Sequence, residues 1–375
     1  MDTESRLSLI REVGEEIIME EDLRALLSGT KRPIAYDGFE PSGKIHIAQG
    51  ILRAINVNKM AAAGCKFKLW VADWHAWANN KLGGDMEKIQ KAGEYMIEVW
   101  KATGMEVEDK SKVEFIWASE VMGKKEYWSK VMQIATHSTL QRVVRCSQIM
   151  GRKESDTLHA SQIFYPCMQA ADIFELDVDI AQLGTDQRKV NVFARELADK
   201  FKWKKPVAVH HHMLMGLTPP EGVAAGHAGP SGAGDGESKI DRTIAMKMSK
   251  SKPDSAIFMT DSVEEIMRKM NKAYCPEKQV QDNPVLEYCR YIVFEKLAQK
   301  KGATFEVERP AKFGGNVSYN SYAELEADFV AGKLHPMDLK ESTAKYIDEL
   351  IFPVRSHFEK NAKAKKLLEE INSFS

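Results

Sequence analysis

The chain has 375 residues, 43% hydrophobic and 29% charged, with a formal net charge of −1. That length accommodates two domains with cores of their own, and the balanced charge excludes a polybasic protein, so any RNA contact must come from local basic patches. No apolar run is long enough to cross a membrane, and the acidic, amphipathic start MDTESRLSLIREVGEE reads as neither a signal nor a transit peptide. Five scattered cysteines without a Cys-x-x-Cys pair read as reduced thiols of a cytoplasmic protein, with no disulfide frame or zinc site.

Residues 4–29 read as one or two amphipathic helices. Ile34-Ala35-Tyr36 ends a first strand. Gly38, Pro41, Ser42 and Gly43 then form a turn, and helical spacing covers Ile45–Ala63, with His46 in its first turn. A second strand, Phe67–Asp73, is almost continuously apolar, as in a parallel sheet covered on both faces. A helix over Gly84–Thr103 and a third strand, Val113–Trp117, complete a βαβαβ half. Residues 120–163 are largely helical and interrupt the alternation. The second half reads as a helix Tyr165–Glu175 with Pro166 in its first turn, a strand Val178–Leu183, a helix Asp186–Lys200 and a strand Pro206–Met213. Residues 218–242 are a Gly/Ala/Pro/Ser-rich loop, flexible by composition. Ser262 with Glu265 and Ser321 with Glu324 are capping boxes, helices cover Pro284–Lys300 and the stretch from Pro336, and Thr304–Glu308 has the length of a short strand. The whole is an α/β fold: a Rossmann-like, doubly wound parallel-sheet catalytic domain over 1–260 with a helical insertion at about 120–163, then an α-helical C-terminal domain over 261–375.

Several patterns carry chemistry. A strand, a glycine-bearing turn and a helix start, YDGFEPSGKIHIAQG, place backbone N–H groups where a polyphosphate can sit. Lys247-Met248-Ser249-Lys250-Ser251 adds two ammonium groups and two hydroxyls, and the two stretches read as closing on one ATP. Tyr165, Gln169 and Asp172, spaced four and three, share one helix face that Leu176 continues. Such a stripe could face solvent, but Ile163, Phe164, Met168 and Ile173 around it argue for burial, and a buried polar stripe needs partners such as a zwitterionic ligand. His75 reads equally as a pocket residue or a satisfied core histidine. His210-His211-His212 resembles a metal cluster, but strand alternation turns His211 away from the other two and no acid or thiol is near in sequence, so packing is the better reading.

The segments GFEPSGKIH, VADWHAW, YPCMQAADI, LGTDQRK, KMSKS, KAYCP, FGGN and LHPMDLK occur here in order. Together they resemble tyrosyl-tRNA synthetases of class I, of the archaeal and eukaryotic cytoplasmic kind and nearest the plant and protist forms, from about Glu21 to Phe374. The resemblance implies that Tyr36 and Asp172 meet the substrate phenol, and that Tyr165, Gln169 and Gln187 hold its ammonium group. His46, Gln49, Lys247 and Lys250 would act on the phosphates. Gly38, Ser42, Ser249 and Ser251 would complete the ATP site, with Mg2+ carried mainly by the phosphates and no structural metal. Arg188 and Lys189 would approach the acceptor stem of tRNA(Tyr), joined by Arg142 and Arg145 of the insertion, which also carries a homodimer contact. Phe313, His335 and Asp338 would read the anticodon. One departure stands out: the HIGH element is His46-Ile47-Ala48-Gln49 here, with Gln in place of the second imidazole. A tryptophanyl-tRNA synthetase, a non-catalytic synthetase-like RNA-binding protein and a generic nucleotidylyltransferase are the competing readings. Tyr36 together with the stripe favours a phenol over an indole, which offers only a donor.

Overall fold

A computed structural model describes residues 1–150, 157–219, 246–248 and 253–374, without the side chains of 147 and 148. The chain forms two compact units: Met1–Gly43 with Asn56–His212 and Lys366–Ser375, and Lys44–Ile55 with Met213–Lys365. These bounds differ from the expected division at 260/261. Backbone bonds explain the difference. Ile47 N–H donates to Ile257 O at 2.9 Å and Met259 N–H to Ile45 O at 3.0 Å, which ties the HIGH-like segment to the later chain.

The first unit is built on a six-stranded sheet. Its strands are β1 (Glu16–Ile18), β2 (Ile34–Phe39), β3 (Lys66–Val71), β4 (Val113–Trp117), β5 (Ile180–Gly184) and β6 (Val207–His211), in the order β1-β6-β5-β2-β3-β4. All neighbours are parallel except β1, which runs antiparallel to β6 with Glu16 opposite His210. The chain leaves β2 toward β3 and β4, then crosses back to β5 on the other side. The carboxyl ends of β2 and β5 thus form the switch point at which doubly wound sheets bind ligands. Strand β5 is buried along its whole length, and the one polar side chain in it, Gln182, pairs with His211 at 3.0 Å.

Several local expectations are corrected. Residues 4–29 are two helices, Thr3–Val13 and Glu20–Gly29, separated by β1. His46 lies in an isolated bridge with Phe258 rather than in a helical turn, and the helix begins as a π-turn, Ala48–Leu52, before Arg53–Ala62. Gly38 belongs to β2 and not to the turn, whose left-handed residue is Gly43 at φ 100°. The stripe helix starts earlier, at Ala160, so Pro166 sits in its interior, where it removes one N–H from the ladder. The tail is not wholly helical: β7 (Phe305–Val307) and β8 (Val317–Tyr319) form an antiparallel pair. Residues 220–245 of the glycine-rich loop lie outside the described residues, as do 249–251 of the second motif.

In the second unit, the side chain of Ser262 caps the helix Val263–Lys272 and that of Ser321 the helix Tyr322–Val330, but the glutamate halves of the expected capping boxes do not form: Glu265 accepts from Arg268 at 2.9 Å and Glu324 from Asn320 N–H at 2.8 Å. The 25-residue helix Pro336–Lys360 buries Leu339, Thr343, Ile347, Ile351, Val354 and Phe358, one apolar stripe at helical period. Among the described residues no helix is long and apolar enough to cross a membrane.

The helix Met86–Ala102 lies against the sheet at Gly93, where an added Cβ would stand 2.5 Å from the Trp117 ring and 2.9 Å from Val71. Gly93→Ala gains up to about 1 kcal/mol of helix propensity and loses about 1–3 kcal/mol to overpacking. The expected net result is destabilisation, read as a lower denaturant midpoint with unchanged slope; a raised midpoint would contradict this packing.

Candidate active site

Asp172 is fully buried on the stripe helix. The Tyr127 hydroxyl, from the helix Lys125–Thr136, donates to its Oδ1 at 2.7 Å. His75 Nε2 stands 3.0 Å from its Oδ2. Among the described residues neither atom of this second pair has another hydrogen-bond partner. Tyr36 projects from β2 into the same buried cluster as Tyr127, Tyr165 and Trp70. Burial, and then the negative charge of Asp172, push the Tyr36 and Tyr127 phenols well above their ordinary pKa. Both therefore stay protonated and able to donate. At His75, burial pulls the pKa down, but the charge of Asp172, with those of Glu40 and Asp73, outweighs it and raises the pKa overall.

The other end of the site is amide-rich, with the Glu40 carboxylate beside it. Gln169 Nε2 donates to Gln187 Oε1 at 3.0 Å, and Gln187 Nε2 to Ile149 O at 3.3 Å. Gln187 ends the short turn Thr185–Gln187 that follows β5, which places it at the switch point. Burial and then the Glu40 carboxylate raise the Tyr165 phenol. Glu40 is held by Asn79 Nδ2 at 2.9 and 3.2 Å and by Lys81 at 3.3 Å. A phenol that donates toward Glu40 keeps its oxygen lone pairs for an ammonium group. Tyr36, Tyr165, Gln169, Asp172 and Gln187 thus all belong to the first unit and line one region of it. Sequence reasoning missed Glu40 and Tyr127 and left His75 undecided. Glu40 and His75 lie inside the motif segments, whereas Tyr127, 45 residues before Asp172, carries no local signal.

The residues expected on ATP fall in different places. Gly38 and Ser42 are in the first unit, His46, Gln49 and Lys247 in the second, and Ser249, Lys250 and Ser251 outside the described residues. Lys247 is held by an antiparallel bridge to Met215, flanked by Met248 N–H to Leu214 O at 3.2 Å and Gly216 N–H to Met246 O at 2.8 Å. Gly50 completes the HIGH-like segment, and a Cβ there would meet Met259 Sδ at 2.3 Å. Glycine is what lets the segment lie against residues 257–259.

Several basic residues proposed for RNA also have protein partners. Arg142 donates to Glu196 at 3.0 and 3.2 Å and stacks over the Phe193 ring, while Arg145 is exposed at the end of its short helix. Arg188 Nε donates to both Glu16 oxygens at 2.9 Å, and Lys189 follows it on the same helix. In the second unit Phe313 is 60% exposed. Arg309 binds Gly315 O at 2.6 Å and Lys333 O at 2.8 Å, which brings the FGGN turn beside the helix start at His335. The His335 side chain caps that helix, and Asp338 lies in its first turn. The three successive histidines each have a separate partner: His210 contacts Glu16 at 2.8 Å and Asn191 at 3.0 Å, His211 contacts Gln182 at 3.0 Å, and His212 contacts Glu15 at 3.2 Å. Among the described residues no group of three side chains is arranged to hold a metal ion.

Residues 28–222 and 241–351 match the family described as tRNA synthetases class I (W and Y), and the chain belongs to that family. Within it the similarity runs to tyrosine enzymes. The chain is 49% identical over 376 residues to tyrosine--tRNA ligase 1, cytoplasmic, of Arabidopsis thaliana, covering all of this chain and 89% of the relative. The tyrosyl-tRNA synthetase of Pyrococcus horikoshii, solved with L-tyrosine, is 40% identical with a TM-score of 0.86 over 98% of this chain and 100% of that one. The Leishmania major tyrosyl-tRNA synthetase, solved with tyrosinol, is 42% identical with a TM-score of 0.85. This chain spans 61% of the Leishmania chain.

The Glu16 network gives a pH prediction. Hydrogen bonding to His210 and Arg188, against the opposing effect of burial, lowers the Glu16 carboxyl from 4.5 to about 2. A lowered folded-state pKa adds stability that is present above the unfolded value and lost as pH falls toward the folded one. Glu16→Gln is therefore expected to lower stability by on the order of 1 kcal/mol near neutrality, once solvent screening is allowed for. That deficit should shrink as pH falls from about 5 toward about 2. Denaturant unfolding at several pH values reads it; a deficit independent of pH would remove Glu16 as its source.

Proposed function

We propose that the protein activates L-tyrosine with ATP and transfers it to the 3′ end of tRNA(Tyr), as a tyrosine–tRNA ligase. The observation that carries this reading is the buried Asp172 carboxylate, one oxygen bonded by Tyr127 and the other facing His75, at the floor of a site whose far end is amide-rich with the Glu40 carboxylate nearby. Among its relatives, the enzymes at 40% identity or more are tyrosine enzymes by name.

In the first step an oxygen of the tyrosine carboxylate attacks the α-phosphorus of ATP. A new P–O bond forms, the bond to the β-phosphate oxygen breaks, and pyrophosphate leaves. The nucleophile is already ionised, so positioning and positive charge do the catalytic work. Asp172 accepts the phenol hydroxyl and Tyr36 donates to it. Tyr165, Gln169 and Gln187 receive the ammonium group. His46, Gln49, Lys247 and Lys250 act on the phosphates, with Gly38, Ser42, Ser249 and Ser251 completing the nucleotide site, and Mg2+ travels with the phosphates as part of the substrate. In the second step a ribose hydroxyl of the terminal adenosine attacks the tyrosyl carbonyl, and AMP leaves. Arg188, Lys189, Arg142 and Arg145 are assigned to the acceptor stem, and Phe313, His335 and Asp338, within a C-terminal anticodon-binding domain, to the anticodon, where an aromatic ring can stack a splayed base. A homodimer and a cytoplasmic location, by analogy with the plant relative's name, complete the proposal.

Tyrosine-dependent exchange of pyrophosphate into ATP, with and without tRNA, is the test. Exchange driven by tyrosine and not by tryptophan is expected; exchange driven by tryptophan, or none, overturns the reading. Lys250→Ala should lower the rate of adenylate formation about a hundredfold or more while tyrosine affinity changes little, because its charge acts as pyrophosphate departs. Equal losses in affinity and rate would count against that role.

The pocket floor makes a separate prediction. Phenylalanine lacks only the hydroxyl, so selection rests on polar groups that it leaves unpaired. Tyr36→Phe should lower kcat/KM for tyrosine up to about tenfold, and Asp172→Ala by about tenfold to a hundredfold, since a bond to a charged acceptor is the stronger. Phenylalanine kcat/KM should barely change in either variant. Unchanged tyrosine-to-phenylalanine ratios in both would take these residues off the pocket floor.

A further inference from the structure

A carboxylate taken out of water must be compensated by charge as well as by hydrogen bonds, or it takes up a proton. Asp172 is 0% exposed. Tyr127 supplies a hydrogen bond and no charge. The substrate phenol is neutral and supplies none either. Among the described residues, the one basic side chain within ion-pair distance of Asp172 is His75, at 3.0 Å and itself buried.

The surroundings of His75 are acidic on several sides. Asp73 belongs to its own helix, Asp73–Ala78, Glu40 comes from the segment after β2, and Asp172 faces it from the stripe helix. The remaining neighbours are uncharged: the Tyr165 ring meets it edge-on at 5.0 Å and the Trp70 ring at 6.5 Å. The Trp70 indole N–H, His75 Nδ1 and Asp172 Oδ2 are all buried without a hydrogen-bond partner. Buried polar atoms that the surrounding protein leaves unbonded are available to a polar ligand.

We propose that His75 is an imidazolium which balances the charge of Asp172, and that this buried ion pair, rather than the carboxylate alone, selects the hydroxyl of tyrosine. His75 is a positioning residue: it acts through Asp172. The raised pKa of His75 agrees with the geometry. With the imidazolium in place, Asp172 Oδ1 is occupied by Tyr127 and Oδ2 accepts the substrate hydroxyl. Without it, the buried carboxylate has no counter-charge beside it, and the difference between a ligand that pairs with it and one that does not is smaller. The inference rests on reading this pocket as a tyrosine site.

The test is pyrophosphate exchange by His75→Asn, which keeps a polar side chain that cannot be protonated, with tyrosine and phenylalanine between about pH 6 and about pH 9. Near neutral pH the variant should lose about tenfold or more in kcat/KM for tyrosine. The wild-type tyrosine-to-phenylalanine ratio should fall toward that of the variant as pH rises and His75 gives up its proton, while the ratio of the variant stays flat. A His75→Asn enzyme with the wild-type ratio at every pH overturns the pair. A wild-type enzyme that shows no tyrosine-dependent exchange instead overturns the reading of the site. A second measurement needs no variant: 15N spectra of histidine-labelled wild-type protein should contain an imidazolium signal that persists well above pH 6.5 and shifts on adding tyrosine. Absence of such a signal also overturns the proposal.

Discussion

One buried carboxylate sets the terms for the first unit. Asp172 lies on a helix whose other neighbours are apolar, and every element around it contributes something that a buried acid requires. The insertion brings the Tyr127 hydroxyl, the turn after β3 brings His75, and β2 brings Tyr36. The Trp70, His75 and Tyr165 rings close around the group and exclude water. Exclusion of water strengthens both the attraction to His75 and the penalty for any ligand that leaves Asp172 unpaired. The packing that makes the acid difficult to bury also makes it selective.

The sheet explains why these groups meet. Parallel strands that leave β2 in two directions open a crevice at its carboxyl end; Glu40 and Gln187 come from just after strand ends, and Tyr36 from within β2, which runs on to Phe39 rather than ending at Tyr36 as the sequence suggested. The nucleotide residues are anchored differently. The HIGH-like segment lies on the chain between β2 and the helix that follows it, yet its backbone bonds to residues 257–259, and Gly50 lets Met259 approach where any Cβ would collide. Residues 44–55 are therefore held by the second unit, while the strand just before them belongs to the first.

Much of this was legible in the sequence, for identifiable reasons. The buried parallel strands are apolar runs too short for helices, so β2 to β6 could be placed to within a few residues. The stripe Tyr165–Gln169–Asp172 could be assigned to one face because helical spacing fixes it. What failed was non-local. Strand β1 is three residues, Glu-Ile-Ile, between two amphipathic helices, and only its pairing with β6 makes it a strand. His46 appeared helical because the chain after it is helical; its bridge to Phe258 depends on a segment 212 residues away. The acids that hold Arg188 and Arg142 are likewise distant, at Glu16 and Glu196, so an arginine patch read from spacing alone looked free. Tyr127 was missed for the same reason: a hydroxyl that matters through a partner 45 residues on leaves no pattern.

In the proposed site, the two ends would divide the recognition of a zwitterion. At the floor stands an ionised pair with phenols that burial keeps protonated; at the far end stand amides, a phenol and the nearby Glu40. An ammonium group is attracted to the Glu40 end, where the acceptors are, and a neutral hydroxyl fits the floor, where a further full charge would meet a pair already balanced. The substrate carboxylate is suited to neither acid, so electrostatics leave it to the phosphates it attacks. This order also fixes what the buried histidine does. The nucleophile carries its charge before it arrives, so no proton need be removed in the first step. The proton on His75 is therefore free to serve the ground state of the site, balancing Asp172 through the activation step rather than shuttling during it.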